Sequence, residues 1–261
     1  MKSLRPLLFL ASLLLLVGLA CKALSGPSNP ATQPPAPTEP PATEPAVTEP
    51  PVATEPPVTE PPVPQAQQFF TEEFDNPLSS DWSVFTVSDP TISDLDKVTV
   101  DAKDGKLVWD FQSEYVYYYL FYDAFQYEDV HLQVNANNKG RNNNSISLIC
   151  RYDPKVGWYE FNIANNGLYN ILYAEITKSG KIAYNRITNG GSNAIKQGKE
   201  VNEYSITCKG QELSLSINGD DVNTITEKKY GLSNGGIGVS VSSFNVLPIL
   251  IDMDWIKVSE P

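Results

Sequence analysis

The sequence predicts an all-β fold, a two-sheet antiparallel β-sandwich or jelly roll, and three observations point there. Between about Gln68 and Pro261, inward and outward residue types alternate with period two in one short segment after another. Asn-Gly and Gly-Gly pairs break these segments at fairly even spacing, as hairpin turns require. No stretch shows the 3.6-residue period of an amphipathic helix. Short strands with turn chemistry between them are the pattern of sandwiches and jelly rolls, and a chain this long buries enough surface to fold without staples.

The chain divides into three parts. Residues 1–20 carry Lys2 and Arg5, an apolar run from Leu7 to Leu16 and small residues at the end, the layout of an export signal peptide. The run is about ten residues long and roughly 20 are needed to cross a bilayer, so no permanent transmembrane helix is expected. Val17-Gly18-Leu19-Ala20-Cys21 resembles the lipobox of bacterial lipoproteins, in which the cysteine becomes the acylated first residue of the mature chain. Gly18 and Leu19 stand in the reverse of that order, and Gly18-x-Ala20 also fits ordinary secretion with Cys21 left as a free thiol. The expectation is lipidation at Cys21, with the protein exported and anchored to the membrane on its extracytoplasmic side. A diacylated cysteine would hold it stably at about 0.8 kcal/mol per buried methylene.

Residues 21–67 form the second part. Pro27 to Pro64 contain 15 of the 21 prolines and five Thr-Glu-Pro triplets, and no lysine or arginine. Such a segment builds no core. It reads as a disordered linker, stiffened by polyproline II bias and by repulsion between glutamates, with an extended limit on the order of 120 Å. The whole chain is −12 at pH 7; five negative charges fall between Pro27 and Pro64 and three positive ones, Lys2, Arg5 and Lys22, before Pro27, which leaves −10 after Pro64. An acidic domain does not suit nucleic acid, whose phosphates reward basic patches.

The third part, residues 68–261, carries the strands. Leu107, Trp109 and Phe111 alternate with Val108, Asp110 and Gln112; Leu213, Leu215 and Ile217 alternate with serines before Asn218-Gly219; Ile237, Val239 and Val241 follow Asn234-Gly235-Gly236. One hairpin is registered by parity. Pairing Tyr152 with Tyr159, Cys150 with Phe161 and Leu148 with Ile163 puts the apolar set on one face and sets Arg151 opposite Glu160 on the other, with Trp158 beside them. Cys150 and Cys208 both fall on inward parity, and an exported chain meets oxidising conditions, so a Cys150–Cys208 disulfide between neighbouring strands is expected; buried free thiols are the alternative. His131, the single histidine, alternates with Val130 and Leu132 and is expected on a solvent side, which leaves no histidine cluster for zinc.

The stretch Glu114–Asp123 packs five tyrosines into ten residues. Two readings stay open. Tyr115, Tyr117, Tyr119 and Phe121 on one face, with Val116, Tyr118, Leu120 and Tyr122 on the other, fill a strand covered on both sides, since aromatics favour strands. Otherwise one set of phenol rings lines an open face and stacks on sugar rings.

Several motifs together resemble a known family: Cys150-Arg151-Tyr152, Gly157-Trp158-Tyr159-Glu160-Phe161-Asn162-Ile163, Asn166-Gly167-Leu168-Tyr169, Asn202-Glu203-Tyr204, Cys208-x-Gly210 and Ile217-Asn218-Gly219. This is the concanavalin A-like lectin/glucanase superfamily, and within it the laminin G-like and 3-keto-disaccharide hydrolase-type jelly rolls of bacterial exported proteins. Phe74-Asp75-Asn76 and Ile251-Asp252-Met253-Asp254-Trp255 are similar to the first and last strands of such domains, which lie side by side. The resemblance implies two antiparallel sheets with ligands on a concave face or on rim loops. Retaining glucanases of the superfamily carry Glu-x-Asp-x-Glu on one strand; here Asp252-x-Asp254 is the nearest match, and it lacks the third acid. No catalytic residue is therefore assigned and no cofactor is expected. A structural calcium held by Asp252 and Asp254 with Asp75 or Asn76 is the milder alternative.

The sequence reading is thus of a cell-surface lipoprotein with a noncatalytic, carbohydrate-binding jelly roll. Its expected ligand-binding residues are Tyr117, Tyr119, Arg151, Trp158 and Glu160. The rivals are a glycoside-active hydrolase, which needs two acids in one pocket, and a structural or protein-interaction module, which needs a broad apolar patch.

Overall fold

Period-two alternation resolves into fifteen strands in the computed structural model, which describes residues 66–261. The expected signal peptide, Cys21 and nearly all of the proline-rich linker lie outside the described residues. In chain order the strands are β1 (Phe70–Glu72), β2 (Trp82–Ser88), β3 (Val98–Ala102), β4 (Leu107–Phe111), β5 (Val116–Tyr127), β6 (Val130–Asn138), β7 (Asn144–Asp153) and β8 (Gly157–Ala164). They continue with β9 (Leu168–Ile176), β10 (Ile182–Gly191), β11 (Val201–Lys209), β12 (Glu212–Ile217), β13 (Asp220–Thr226), β14 (Gly235–Ser243) and β15 (Ile249–Ser259).

All pairs are antiparallel and fall into two sheets, as the sequence predicts. The first sheet runs β13-β12-β11-β6-β15-β4-β3, with β1 also paired to β15; the second runs β10-β9-β8-β7-β14-β5-β2. The first and last strands do lie side by side, Phe70 opposite Val258. The β12–β13 turn has Asn218 and Gly219 at φ 53° and 85°, so Ile217 pairs directly with Asp220 across a two-residue loop. Facing side chains of the two sheets, among them Trp109, Phe111, Leu132, Leu148, Phe161 and Val239, form one buried core. His131 is half-buried on the first sheet, its Nδ1 2.8 Å from Thr207 Oγ1.

Three expectations are corrected. The β7–β8 register is offset by two residues: Cys150 faces Tyr159, Leu148 faces Phe161 and Ile146 faces Ile163. A shift of two preserves the faces, so the inward set stands. What parity did not show is a β-bulge between Cys150 and Asp153, with Arg151 at φ 55°. The extra residue exchanges the directions of the two that follow Cys150. Tyr152 joins the outer aromatic cluster, and Arg151 leaves the outer face to donate to the carbonyls of Gly210, Leu232 and Glu128. Finally, Cys150 and Cys208 are disulfide-bonded, but across the core, from β7 of the second sheet to β11 of the first, rather than between neighbouring strands.

Candidate functional site

The outer face of the second sheet is built from two rows that the strand register brings into line. Arg186, Leu172, Glu160, Ile149, Gly238 and Phe121 follow one another across β10, β9, β8, β7, β14 and β5. One step along the strands, Asn170, Asn162, Ser147, Ser240 and Tyr119 make a parallel, largely polar row. These residue types are outward because their alternate neighbours, such as Phe161, Ile171 and Val239, are drawn into the core.

At the β5 end the face is aromatic. Phe121 lies flat on Tyr152, with centroids 3.6 Å apart and planes 4° apart, and Trp158 meets both Tyr119 and Phe121 edge-on at 5.4 Å. A glycine at 238 leaves room for this, since a Cβ there would stand 2.7 Å from Phe121 Cδ1. The edge-on contacts of Trp158 place positive rims against negative faces, a favourable arrangement.

Glu160 sits where the aromatic and polar halves meet, 1% exposed. Its Oε1 accepts from Ser147 Oγ at 2.7 Å, and its Oε2 accepts from Trp158 Nε1 at 3.0 Å and from Tyr119 O–H at 3.3 Å. With Tyr119 donating to Glu160, the Tyr184 hydroxyl, 2.7 Å away, donates to Tyr119. Burial pushes the Glu160 carboxyl above its ordinary range, and the hydrogen bonds from Ser147, Trp158 and Tyr119 offset this only in part. Burial likewise raises the Tyr117, Tyr119 and Tyr184 phenols, so all three stay protonated at neutral pH.

Beside this network opens a cleft of ≈ 290 Å³. Tyr117 of β5 and Phe244, just past β14, form its aromatic wall, while β8 supplies Glu160 and Asn162, β9 supplies Asn170 and Leu172, and β10 supplies Tyr184 and Arg186. Of the expected ligand-binding residues, Tyr117 and Glu160 line it. Tyr119 and Trp158 lie behind it, each 0% exposed, and position Glu160 instead. Arg151, 2% exposed, belongs to the bulge and does not line the cleft. Sequence reasoning missed Asn162, Asn170, Leu172, Tyr184, Arg186 and Phe244. Parity extended from Glu160 reaches Asn162, and the hairpin after Asn166-Gly167 then gives Asn170 and Leu172; nothing comparable marks the β10 pair.

Glu160 is the one acid among the residues lining the cleft, so the pair of carboxylates about 5 to 5.5 Å apart that a retaining glycosidase uses is not assembled there. Asp252 and Asp254 lie on β15, in the other sheet, and each is held by a lysine: Lys139 at 2.5 Å and Lys106 at 2.9 Å. The two carboxylates of the calcium reading are thus each paired with a lysine. Among the described residues no group of three or more His, Cys, Asp or Glu side chains is placed to hold a metal.

Comparison with solved structures supports the same architecture. The Bacillus licheniformis β-glucanase superposes with a TM-score of 0.55 at 14% identity, over 76% of this chain and 100% of that one. A glycoside hydrolase family 16 enzyme of the mixed-linkage glucan locus of Bacteroides ovatus gives 0.52 at 12%, over 73% and 99%. A Bacillus subtilis protein of unknown function with a galectin-like fold gives 0.52 at 11%, over 73% and 94%. At these identities the likeness concerns the fold, a concanavalin-like jelly roll, and not the site. No curated protein matches the sequence. One family model, described as a 3-keto-alpha-glucoside-1,2-lyase-like domain, matches residues 70–246, from β1 past the end of β14. That span takes in the whole second sheet, every strand of the first except β15 and every wall of the cleft, and on it the chain belongs to the family of 3-keto-alpha-glucoside-1,2-lyase-like domains.

Proposed function

We propose that the domain binds carbohydrate without transforming it, and that the sugar sits in the cleft walled by Tyr117, Tyr184 and Phe244. The observation that carries this is the make-up of the cleft: aromatic rings beside amide, phenol and guanidinium groups, with a single acid whose oxygens already accept from Ser147, Trp158 and Tyr119. Sugars offer apolar ring faces edged with hydroxyls, which such a mixture complements. The glucan-active neighbours and the family's glycoside description support a saccharide ligand.

One observation favours a second reading. Glu160, a cleft carboxyl that burial raises above its ordinary range, is the kind of group that can serve as a general acid or base, and the family is named for a lyase. Against it stands the hydrogen bonding that occupies both oxygens. We further propose that the domain is an exported lipoprotein module, tethered through Cys21 and the proline-rich linker.

A glycan array probed with the full chain tests the first reading. On the best hit, Tyr184→Ala and Tyr117→Ala are expected to weaken binding about tenfold each, or ~1.4 kcal/mol, with the circular dichroism spectrum unchanged. An empty array overturns the binding reading. Turnover of a 3-keto-α-glucoside that disappears in Glu160→Gln would put the lyase reading in its place. Mass spectrometry of the membrane fraction should find Cys21 acylated at the mature N-terminus; an unmodified, soluble product overturns the tether.

A further inference from the structure

We infer that the saccharide bound in this cleft is acidic, and that Arg186 pairs with its carboxylate or sulfate. The inference rests on the carbohydrate-binding reading above and names the ligand class within it.

Arg186 lines the cleft from β10, the edge strand of the second sheet. Among the described residues the ion pairs are Lys97–Asp94, Lys106–Asp254 and Lys139–Asp252, so Arg186 stands outside all of them. No side-chain hydrogen bond among the described residues engages it either. That is notable in a domain rich in acids, carrying −10 after Pro64. A guanidinium presents five N–H donors in a planar fork, and its best complements are the paired oxygens of carboxylate and sulfate groups.

The cleft's own acid does not answer that charge. Glu160 is two strands from Arg186, with Leu172 between them in the register, a backbone separation of roughly 10 Å at about 4.8 Å per strand. Its oxygens are turned to Ser147, Trp158 and Tyr119 instead. Around Arg186 the cleft offers further groups that are unengaged among the described residues, the Asn170 amide and the Tyr117 hydroxyl. Asn162 spends its Nδ2 on Ser145 and Ser147, at 2.8 and 2.9 Å. An acidic sugar would find a fork for its anion, an amide and a phenol for its hydroxyls, and rings for its apolar face.

A second, larger cleft of ≈ 610 Å³ also holds cations, Arg141, Lys199 and the Asp252-paired Lys139, but no aromatic ring lines it. It supplies the control, because removing a positive charge there changes the net charge of the domain equally without touching the site.

The test titrates the full chain, by calorimetry, with oligogalacturonate, a sulfated oligosaccharide and a neutral cello-oligosaccharide of equal length. At least one anionic ligand should bind tenfold or more tighter than the neutral one, and which one it is assigns carboxylate or sulfate. Arg186→Gln should remove that tenfold preference, Arg186→Lys should keep only part of it, and Arg141→Gln should leave it within about twofold. Equal losses in Arg186→Gln and Arg141→Gln would mean diffuse charge attraction and overturn the assignment. Neutral and anionic sugars bound alike, with Arg186→Gln indifferent, would overturn the acidic class while leaving carbohydrate binding intact. No binding of any of the three sugars, together with an empty array, overturns both.

Discussion

Glu160 is a carboxyl placed on the outward face of a sheet and yet sealed from water. Parity alone located it on that face, but exposure does not follow from direction when the neighbours are Trp158, Tyr119 and Tyr184. Its burial has a consequence for stability. Because burial holds the folded-state pKa above the ordinary 4.5, the folded chain binds this proton more tightly than the unfolded chain does. The group's contribution is therefore fully present below that ordinary value and is lost as the pH rises through the raised folded value. Glu227 works in the opposite direction. Burial pushes it up as well, but the Tyr159 hydroxyl and the amides of Tyr230, Lys229 and Gly231 outweigh that and hold it low, so its contribution is lost on acidification. Urea midpoints between pH 4 and 8 on the wild type and Glu160→Gln separate the two. The variant is expected to lose the decline toward higher pH, whereas identical slopes would show that Glu160 is not perturbed in the folded state. Glu160→Ala strands the Trp158 and Ser147 donors over a cavity and should cost about 2–4 kcal/mol.

Strands were legible where alternation was regular and opaque where it broke. Asn218-Gly219 specified its turn because both residues need positive φ, and the inward sets of β7, β8, β12 and β14 follow from parity alone. The ten-residue aromatic stretch combines the two alternatives: Val116, Leu120 and Tyr122 fill the core between the sheets and Tyr119 and Phe121 build a second buried cluster outside it, as a strand covered on both sides requires, while Tyr117 alone reaches the cleft wall. The bulge at Arg151 was hidden because its cause lies on another strand. A Cβ at Gly235 would stand 2.4 Å from the Arg151 carbonyl carbon, so the bulge fits only against a glycine that the sequence presents as part of a turn. The cleft wall on β10 was hidden for a related reason. Its register shifts between Arg186 and Thr188, and its burial pattern does not alternate cleanly, so no single parity runs the length of the strand. Core faces are set by hydrophobic pattern, which sequence displays; cleft walls on edge strands are set by pairing, which it does not.

At the scale of the whole molecule, the two sheets are held together by the buried core and by one covalent tie. The Cys150–Cys208 bond joins β7 to β11 across a sequence separation of 58 residues, which takes in β8, β9 and β10. Closing a loop of that length in the unfolded chain is worth about 4 kcal/mol in the chain-entropy model, and native disulfides commonly deliver about 2–5 kcal/mol. The paired variant Cys150→Ala/Cys208→Ala should therefore melt roughly 4–20 °C below the wild type, at about 2–4 °C per kcal/mol for a domain of this size. Binding at the cleft should be unaffected at 25 °C, because Cys150 faces the core while its neighbour Ile149 faces the site side of the same sheet. Thiol titration of the unreduced, denatured protein completes the experiment. If residues 150 and 208 react as free thiols in material isolated from the native cell, or if the paired variant melts with the wild type, the sandwich is held by its apolar core alone.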